Sequence, residues 1–235
     1  LIVDFARHNR QITDLDLERR SVRVGSGVVL DQLNAWLRPH GLHFGPDVAT
    51  SSRATLGGMI ANNSSGAHVP VYGTTADHVR SLDLVLADGG IVRLPGPGGG
   101  ATEANRCAAL TQSADRIVQA RADAIRRRLP AGLLKRWPGY AFDRALRRPG
   151  DLTQLIAGSE GTLAAIVSAE LNLVPLPGRR TLGVLCFDSV AQALQAAVEL
   201  LDLRPAAIEH IDRLLFDQTR GQPAFRAARD LLDLA

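Results

Sequence analysis

The segment from Gly45 to Gly73 constrains this chain more strongly than any other part of its sequence. It is dense in small and hydroxyl-bearing residues, and only Asp47 and Arg53 in it carry a full charge. It also holds four consecutive neutral hydrogen-bonding side chains, those of Asn62, Asn63, Ser64 and Ser65. Such a segment is typical of backbone that wraps a large ligand rich in carbonyl, hydroxyl and phosphate oxygens. By spacing alone, an ordinary surface loop of Gly, Ser and Asn explains it better.

Two further features suggest how the chain could hold such a ligand. Thr55 precedes an apolar turn, where its side chain is predicted to cap the first helical N–H groups. The pair Gly57 and Gly58 is predicted to let a flat ligand approach the backbone closely. Further along, Glu160 lies between glycines in the segment Gly158–Leu163, just before a predicted strand. Its carboxylate could lie beside a ligand amide or hydroxyl, and a tight turn explains the same pattern equally well.

Composition excludes several classes of protein. The 235 residues are 46% hydrophobic and 22% charged, enough for one large domain, or one domain and part of a second, around a real core. The basic residues are 26 Arg and one Lys, but they are scattered, and aromatic residues make up only 4% of the chain. We therefore expect no nucleic-acid partner. No apolar run is long enough to predict a transmembrane segment, and no signal peptide opens the chain.

Cysteine and histidine give no metal site. Cys107 and Cys186 have no neighbouring thiol, which predicts reduced cysteines in a cytoplasmic protein and no iron–sulfur or zinc site. His68 lies inside the small-residue segment, where it could contact a ligand, but we interpret it as a polar loop residue. The remaining histidines lack partners at metal-ligand spacing, so surface or structural roles are expected for His8, His40, His43, His78 and His210.

Periodicity outlines the elements of the first part of the chain. Leu1–Phe5 is predicted as a buried strand, and Pro95–Gly100 as a loop. A helical stripe formed by Leu30, Leu33, Trp36 and Leu37 is predicted to end at Gly41. The hairpins Ile12–Asp16 with Ser21–Gly25 and Ser81–Leu86 with Ile91–Leu94 are also predicted. A long helix is predicted at Asn105–Leu129, and a strand or hairpin at Leu163–Val174.

The pattern changes after Gly178. Leu182–Phe187 is predicted as a strand, Val190–Leu201 as a helix capped by Asp188 or Ser189, and Ala206–Ile211 as another strand. This β-α-β order predicts a second domain that begins near residue 179. We therefore divide the chain into domains 1–178 and 179–235.

The two motif segments, taken together, resemble the FAD-binding fold of the vanillyl-alcohol-oxidase type, also called the PCMH type. The branch that it resembles most contains D-lactate dehydrogenases, glycolate oxidase and D-2-hydroxyglutarate dehydrogenases, especially large bacterial members fused to an iron–sulfur module. The resemblance covers about residues 1–212. The residues that carry it are Pro46-Asp47, Thr50-Ser51, Thr55, Gly57-Gly58, Asn62-Asn63-Ser64-Ser65-Gly66, Tyr72-Gly73 and Ser159-Glu160-Gly161-Thr162.

The resemblance implies an α+β fold, namely a PCMH-type FAD-binding domain followed by the start of a ferredoxin-like α+β substrate (cap) domain. It also implies that FAD is the cofactor and assigns matching positions to its site. These positions are Pro46, Asp47, Thr50, Ser51, Thr55, Gly57, Gly58, Asn62, Ser64, Ser65, Gly66, Glu160, Gly161 and Ile166. The pair Gly139-Tyr140 resembles a Gly-Tyr pair that lies near the flavin in this family.

The implied activity is oxidation of a D-2-hydroxy acid such as D-lactate, glycolate or D-2-hydroxyglutarate, by hydride transfer to flavin N5. The implied electron acceptor is a quinone, a cytochrome or an iron–sulfur module, and the implied location is the cytoplasm or the inner face of its membrane. The family's Gly-Gly-Thr-Ser diphosphate loop is expected before Leu1, so we expect the FAD-binding domain to be truncated at its N-terminus. The family's catalytic residues belong to the substrate domain, so none is assigned to this chain.

Two alternatives remain open at this stage. The first is a non-catalytic fragment, or remnant, of such a flavoprotein that binds FAD weakly or not at all. The second is an oxidase of sugars or aldehydes on the same fold. Because the diphosphate loop is absent, we expect residues 1–235 alone to bind FAD weakly and to be inactive.

Overall fold

A computed structural model describes residues 3–96, 100–129, 132 and 139–232. The chain divides into two compact units, Leu1–Arg179 and Arg180–Ala235. The first unit has an α+β fold built on a five-stranded antiparallel sheet. This division does not test what the two predicted domains, 1–178 and 179–235, are, so their assignment as FAD-binding and substrate domains stays a prediction. No helix in the described part of the chain is both long enough and apolar enough to span a membrane.

The sheet of the first unit consists, in spatial order, of β1 Ile12–Asp16, β2 Ser21–Gly25, β6 Ala165–Asn172, β4 Val79–Val85 and β5 Ile91–Leu94. The central strand β6 pairs with β2 on one side and with β4 on the other, so that Ala169 lies opposite both Val24 and Leu82. Both predicted hairpins are confirmed, because β1 pairs with β2 and β4 pairs with β5. Two further strands are β3 Leu42–His43 and β7 Val174–Pro175.

Alternation along the strands places the core on one face of this sheet. In β2, Val22 and Val24 are fully buried, whereas the Arg23 guanidinium lies on the opposite face, 2.7 Å from the Asp83 carboxylate. A period of two residues explains this division, because successive strand side chains point to opposite faces. The buried face packs against the helices at Leu56–Asn62 and Thr153–Ile156 and contributes part of the hydrophobic core.

The helices largely follow the predicted segments. In α1, Leu30, Leu33 and Leu37 are buried, as predicted. Trp36 was predicted in the same stripe, but it is 40% exposed and lies near His40. The α-helices are α1 Leu30–Leu37, α2 Leu56–Asn62, α3 Val69–Tyr72, α4 Ala101–Ala120, α5 Ala122–Arg128, α6 Phe142–Arg147, α7 Thr153–Ile156, α8 Val190–Leu200, α9 Arg213–Gln218 and α10 Arg226–Leu232. Short 3-10 helices cover Arg38–His40, Thr75–His78, Leu201–Leu203 and Pro223–Phe225.

Several local predictions need correction. The long helix is broken at Arg121, whose backbone departs from helical geometry with φ −116° and ψ 12°. The strand predicted at Leu1–Phe5 is absent from the described residues 3–5, because a strand needs a hydrogen-bonded neighbour and the sheet ends at β1. The loop predicted at residues 95–100 lies partly outside the described residues.

The second unit contains the predicted helix but not the predicted strands. Helix α8 begins after Ser189, whose hydroxyl accepts a hydrogen bond from the Gln192 N–H, so Ser189 is the cap. Residues 182–187 and 206–211 are irregular. Alternating apolar residues alone do not make a strand, because a strand also requires a partner, and the described residues of this unit form no ladder.

Candidate cofactor-binding site

Helix α2 contains the centre of the small-residue segment, and its apolar residues pack into the hydrophobic core. Leu56, Met59 and Ile60 are almost completely buried in the core. Gly57 is buried as well, and a Cβ atom there would lie only 2.5 Å from the Cβ of Ser26. Gly57 therefore serves the packing of α2 on the loop after β2. The predicted role of this glycine, to let a ligand approach the backbone closely, stays a prediction.

Gly58 has the opposite environment. It is exposed, and a Cβ atom there would come within 4 Å of only one atom, Oγ1 of Thr55, at 3.3 Å. Thr55 has the extended backbone of an N-cap residue, but its side chain makes no capping hydrogen bond, contrary to the prediction. The exposed face of α2 at Gly58 is therefore smooth, and among the described residues nothing covers it.

The end of α2 turns the chain toward the rest of the segment. Asn63 adopts the left-handed conformation with φ 52°, which an Asn tolerates better than most residues. Its side-chain oxygen accepts a hydrogen bond of 2.8 Å from the Ala76 N–H. The Thr75 hydroxyl donates to the Ser64 carbonyl at 2.7 Å. These bonds hold Asn63 and Ser64 against the turn at residues 75–76.

The second motif segment lies directly against the end of α2. The Gly158 N–H donates to the Ile60 carbonyl and the Glu160 N–H donates to the Ala61 carbonyl, both at 2.9 Å. The Asn62 amide donates to the Glu160 carboxylate at 2.7 Å. Glu160 has a positive φ of 54°, a conformation that these three bonds stabilise. Two motifs separated by almost a hundred residues thus form one surface.

This surface offers hydrogen-bond donors that the chain itself does not use. Among the described residues, no acceptor is recorded for three consecutive backbone N–H groups, those of Ser65, Gly66 and Ala67. Ser159 is only 3% exposed, and its hydroxyl has no partner among the described residues. Buried or half-buried polar groups normally find partners, so these groups fit a ligand with several oxygen acceptors.

Asp47 joins two parts of the small-residue segment. Its carboxylate accepts from the His68 ring Nδ1 at 2.7 Å and from the His68 backbone N–H at 3.3 Å. Gly66 packs on the same residue, since a Cβ on Gly66 would lie 2.3 Å from the Asp47 carbonyl oxygen. The conformation of residues 46–51 is thus tied to that of residues 65–68.

The remaining residues predicted for the site lie in different environments from one another. Pro46 is buried, while Thr50 and Ser51 lie in the turn before α2, where the Ser51 carbonyl accepts from the Asp31 N–H. The Ser64 hydroxyl donates to the Asn62 side chain, and Gly161 is exposed beside Glu160. Ile166 differs from the rest, since its side chain is part of the hydrophobic core.

Two contacts at the edge of this surface were not foreseen from the sequence. The Tyr140 hydroxyl lies 2.6 Å from the Thr162 hydroxyl, and the Gly139 carbonyl would lie 2.8 Å from a Cβ on Gly158. The Gly-Tyr pair therefore packs on the turn that contains Glu160. The only sequence signal for this contact was the family resemblance of the pair.

An ion pair anchors the far end of the segment. The Arg144 guanidinium lies 2.7 Å from the Asp77 carboxylate, whose oxygen also accepts from the Thr74 N–H. Burial of the Asp77 carboxyl opposes its ionisation, but the hydrogen bonds from Thr74 and Arg144 outweigh burial. They lower the pKa of Asp77 below its ordinary value of 3.8. Helix α6 thereby holds the turn that follows Tyr72 and Gly73.

Comparison with known proteins shows what this chain is similar to. Residues 1–95 match the family described as an FAD binding domain. A solved structure of alkyldihydroxyacetonephosphate synthase superposes with a TM-score of 0.55 at 19% identity, over 87% of this chain and 29% of that one. Residues 1–95 thus match an FAD-binding domain, and the fold is of the PCMH type. The predicted fold class and cofactor are thereby confirmed.

Two relatives of known activity align with nearly the whole chain. A D-2-hydroxyglutarate dehydrogenase of Pantoea ananatis is 35% identical over 99% of this chain. A D-lactate dehydrogenase of Archaeoglobus fulgidus is 30% identical over 85% of it. The alignments cover 23% and 35% of those proteins, so the chain spans about a quarter to a third of their length.

The residues of the FAD-binding domain fit FAD in chemical terms. FAD presents diphosphate, ribityl and carbonyl oxygens, and the surface presents the unused N–H groups of residues 65–67 together with the Ser159 hydroxyl. The smooth face at Gly58 leaves room for a flat ring system. The donors of this surface are thus mainly backbone amides and neutral side chains, which suit such a ligand.

Proposed function

We propose that this chain is the FAD-binding part of an oxidoreductase that oxidises a D-2-hydroxy acid of the D-lactate, glycolate or D-2-hydroxyglutarate type. The observation that supports the site is the junction of Asn62 with Glu160, which brings both motif segments onto one surface. The observation that supports the substrate class is the similarity to dehydrogenases of D-2-hydroxyglutarate and D-lactate.

FAD, when bound, supplies the hydride acceptor for this oxidation. The chain's own part is to bind and orient it. The N–H groups of residues 65–67 are proposed to donate to ligand oxygens, and Gly58 to leave space for the ring. Glu160 is held by Asn62 and is proposed to accept a hydrogen bond from a ligand hydroxyl or amide. The fourteen positions assigned from the resemblance form the proposed site as a set.

The remaining parts of the reaction belong to the proposal as well. The catalytic base and the substrate-binding groups are expected in the substrate domain, to which we assign residues 179–235 as its beginning. The electron acceptor is proposed to be a quinone, a cytochrome or an iron–sulfur module. The protein is proposed to act in the cytoplasm or at the inner face of the membrane.

The test is to purify the protein as its gene encodes it, together with the 235-residue chain, and to measure flavin content and dye reduction. We expect the encoded protein to reduce the dye with D-lactate, glycolate or D-2-hydroxyglutarate, and not with L-lactate. We expect the 235-residue chain to bind FAD in the micromolar range and to turn over none of these acids. An encoded protein that carries FAD but oxidises no D-2-hydroxy acid would contradict the substrate assignment.

A further inference from the structure

We infer that His68 is a positioning residue of the FAD site, because it engages the Asp47 carboxylate, which would otherwise compete with the cofactor for nearby backbone amides. The inference rests on the proposed FAD site at residues 46–66 and concerns a residue outside the set assigned to that site. It predicts that His68 acts through its Nδ1 atom and that its other ring nitrogen makes no contribution to binding.

The geometry places the Asp47 carboxylate beside the unused donors. A Cβ on Gly66 would lie 2.5 Å from Asp47 Oδ1, so this oxygen lies directly against the loop of residues 65–67. That loop carries the three N–H groups for which no acceptor is recorded in the described chain. A carboxylate is a strong acceptor for backbone N–H groups. An unrestrained Asp47 side chain would therefore compete with ligand oxygens for these donors.

His68 removes this competition by occupying both oxygens of the carboxylate. Its ring Nδ1 lies 2.7 Å from Oδ2, and its backbone N–H donates to Oδ1 at 3.3 Å. Because the carboxylate can only accept, Nδ1 is the ring atom that donates in this contact. The ring is further held near Tyr72, with the ring centroids 6.1 Å apart.

Exposure limits the size of the effect. The His68 and Asp47 side chains are 39% and 41% exposed, so their attraction is screened by water. Exposed pairs contribute up to about 1 kcal/mol, which corresponds to roughly a fivefold change in an equilibrium constant. We therefore expect loss of the Nδ1 donor to weaken FAD binding about three- to fivefold.

Three substitutions separate the possible roles of the ring. His68→Asn places an amide N–H near the Nδ1 position, His68→Gln places it near the Nε2 position, and His68→Phe keeps only the ring. FAD affinity is measured by titration with quenching of flavin fluorescence, both on the 235-residue chain and on the protein as encoded. His210→Phe is the matched control, because it makes the same substitution at an exposed histidine of the second unit. Melting temperatures confirm that each variant is folded.

We expect His68→Phe and His68→Gln to bind FAD about three- to fivefold more weakly than the parent, and His68→Asn to bind like the parent. Rescue by Gln and not by Asn would overturn the inference, because it would place the cofactor at Nε2. Equal affinity of His68→Phe and the parent would overturn it as well. If His68→Phe does not fold, Asp47→Ala is used in its place. Adding His68→Gln to Asp47→Ala should then cause no further loss of FAD affinity. A parent protein that binds no FAD would refute the proposed site itself, which is a separate result.

Discussion

Gly57 and Gly58 are neighbours in one helix, yet the structure predicts opposite consequences for the same substitution. Replacing either glycine by alanine adds one methyl group and gains up to about 1 kcal/mol of helix propensity. At Gly57 the methyl group would lie 2.5 Å from Ser26 Cβ, 2.7 Å from its Oγ and 3.1 Å from its Cα. At Gly58 it would meet only Thr55 Oγ1, at 3.3 Å, and the Thr55 side chain can rotate because it makes no capping bond.

Both alanine variants gain the same helix propensity. The difference between their stabilities therefore measures the cost of the clash at Gly57. Overpacking a core position costs about 1–3 kcal/mol. For a chain of this length, each kcal/mol shifts the melting temperature by roughly 2–4 °C. We therefore expect Gly57→Ala to melt about 2–12 °C below Gly58→Ala in circular dichroism, with Gly58→Ala at or above the parent.

FAD binding completes this test. Gly58→Leu projects a large side chain from the exposed face of α2, where the flat cofactor is proposed to lie, and nothing in the described core opposes it. We expect this variant to remain folded and to lose FAD binding at least tenfold in the titration. Normal flavin binding by Gly58→Leu would refute the location of the cofactor. Equal melting temperatures of the two alanine variants would refute the assignment of Gly57 to packing and Gly58 to the ligand face.

Two further predictions concern charged groups. Glu160→Gln should weaken FAD binding about 10- to 150-fold if the carboxylate accepts from the ligand, whereas Glu170→Gln on the sheet should not; equal affinities in the same titration would count against the site. Arg144→Met should lower the melting temperature at neutral pH, and the gap to the parent should shrink as the pH falls below about 4. The reason is that the pKa of Asp77 is lowered in the folded state, so its contribution to stability is present above the ordinary pKa and is lost as the carboxylate protonates. A gap that widens in acid would contradict this linkage.

The local elements were largely predictable because they depend on residues close together in the chain. The alternation in Ser21–Gly25 and Ile91–Leu94 gave both hairpins, and the spacing of Leu30, Leu33 and Leu37 gave helix α1. Trp36 was misplaced because a 3.6-residue period identifies a stripe but not its width. The strands predicted at residues 182–187 and 206–211 failed because a strand is completed by a neighbour that the local sequence does not specify.

The sequence by itself showed that residues 45–73 and 158–163 are rich in small residues, hydroxyls and amides, and their resemblance to a known flavoprotein family indicated an FAD-binding domain. Only the tertiary structure decided how these motifs combine. Asn62 meets Glu160 across 98 positions of sequence, and His68 reaches Asp47 across 21. The separate environments of Gly57 and Gly58 also follow from packing, because Ser26 reaches one of them and not the other. Contacts between residues distant in sequence depend on the pairing of β6 with both β2 and β4. No local sequence pattern specifies that pairing.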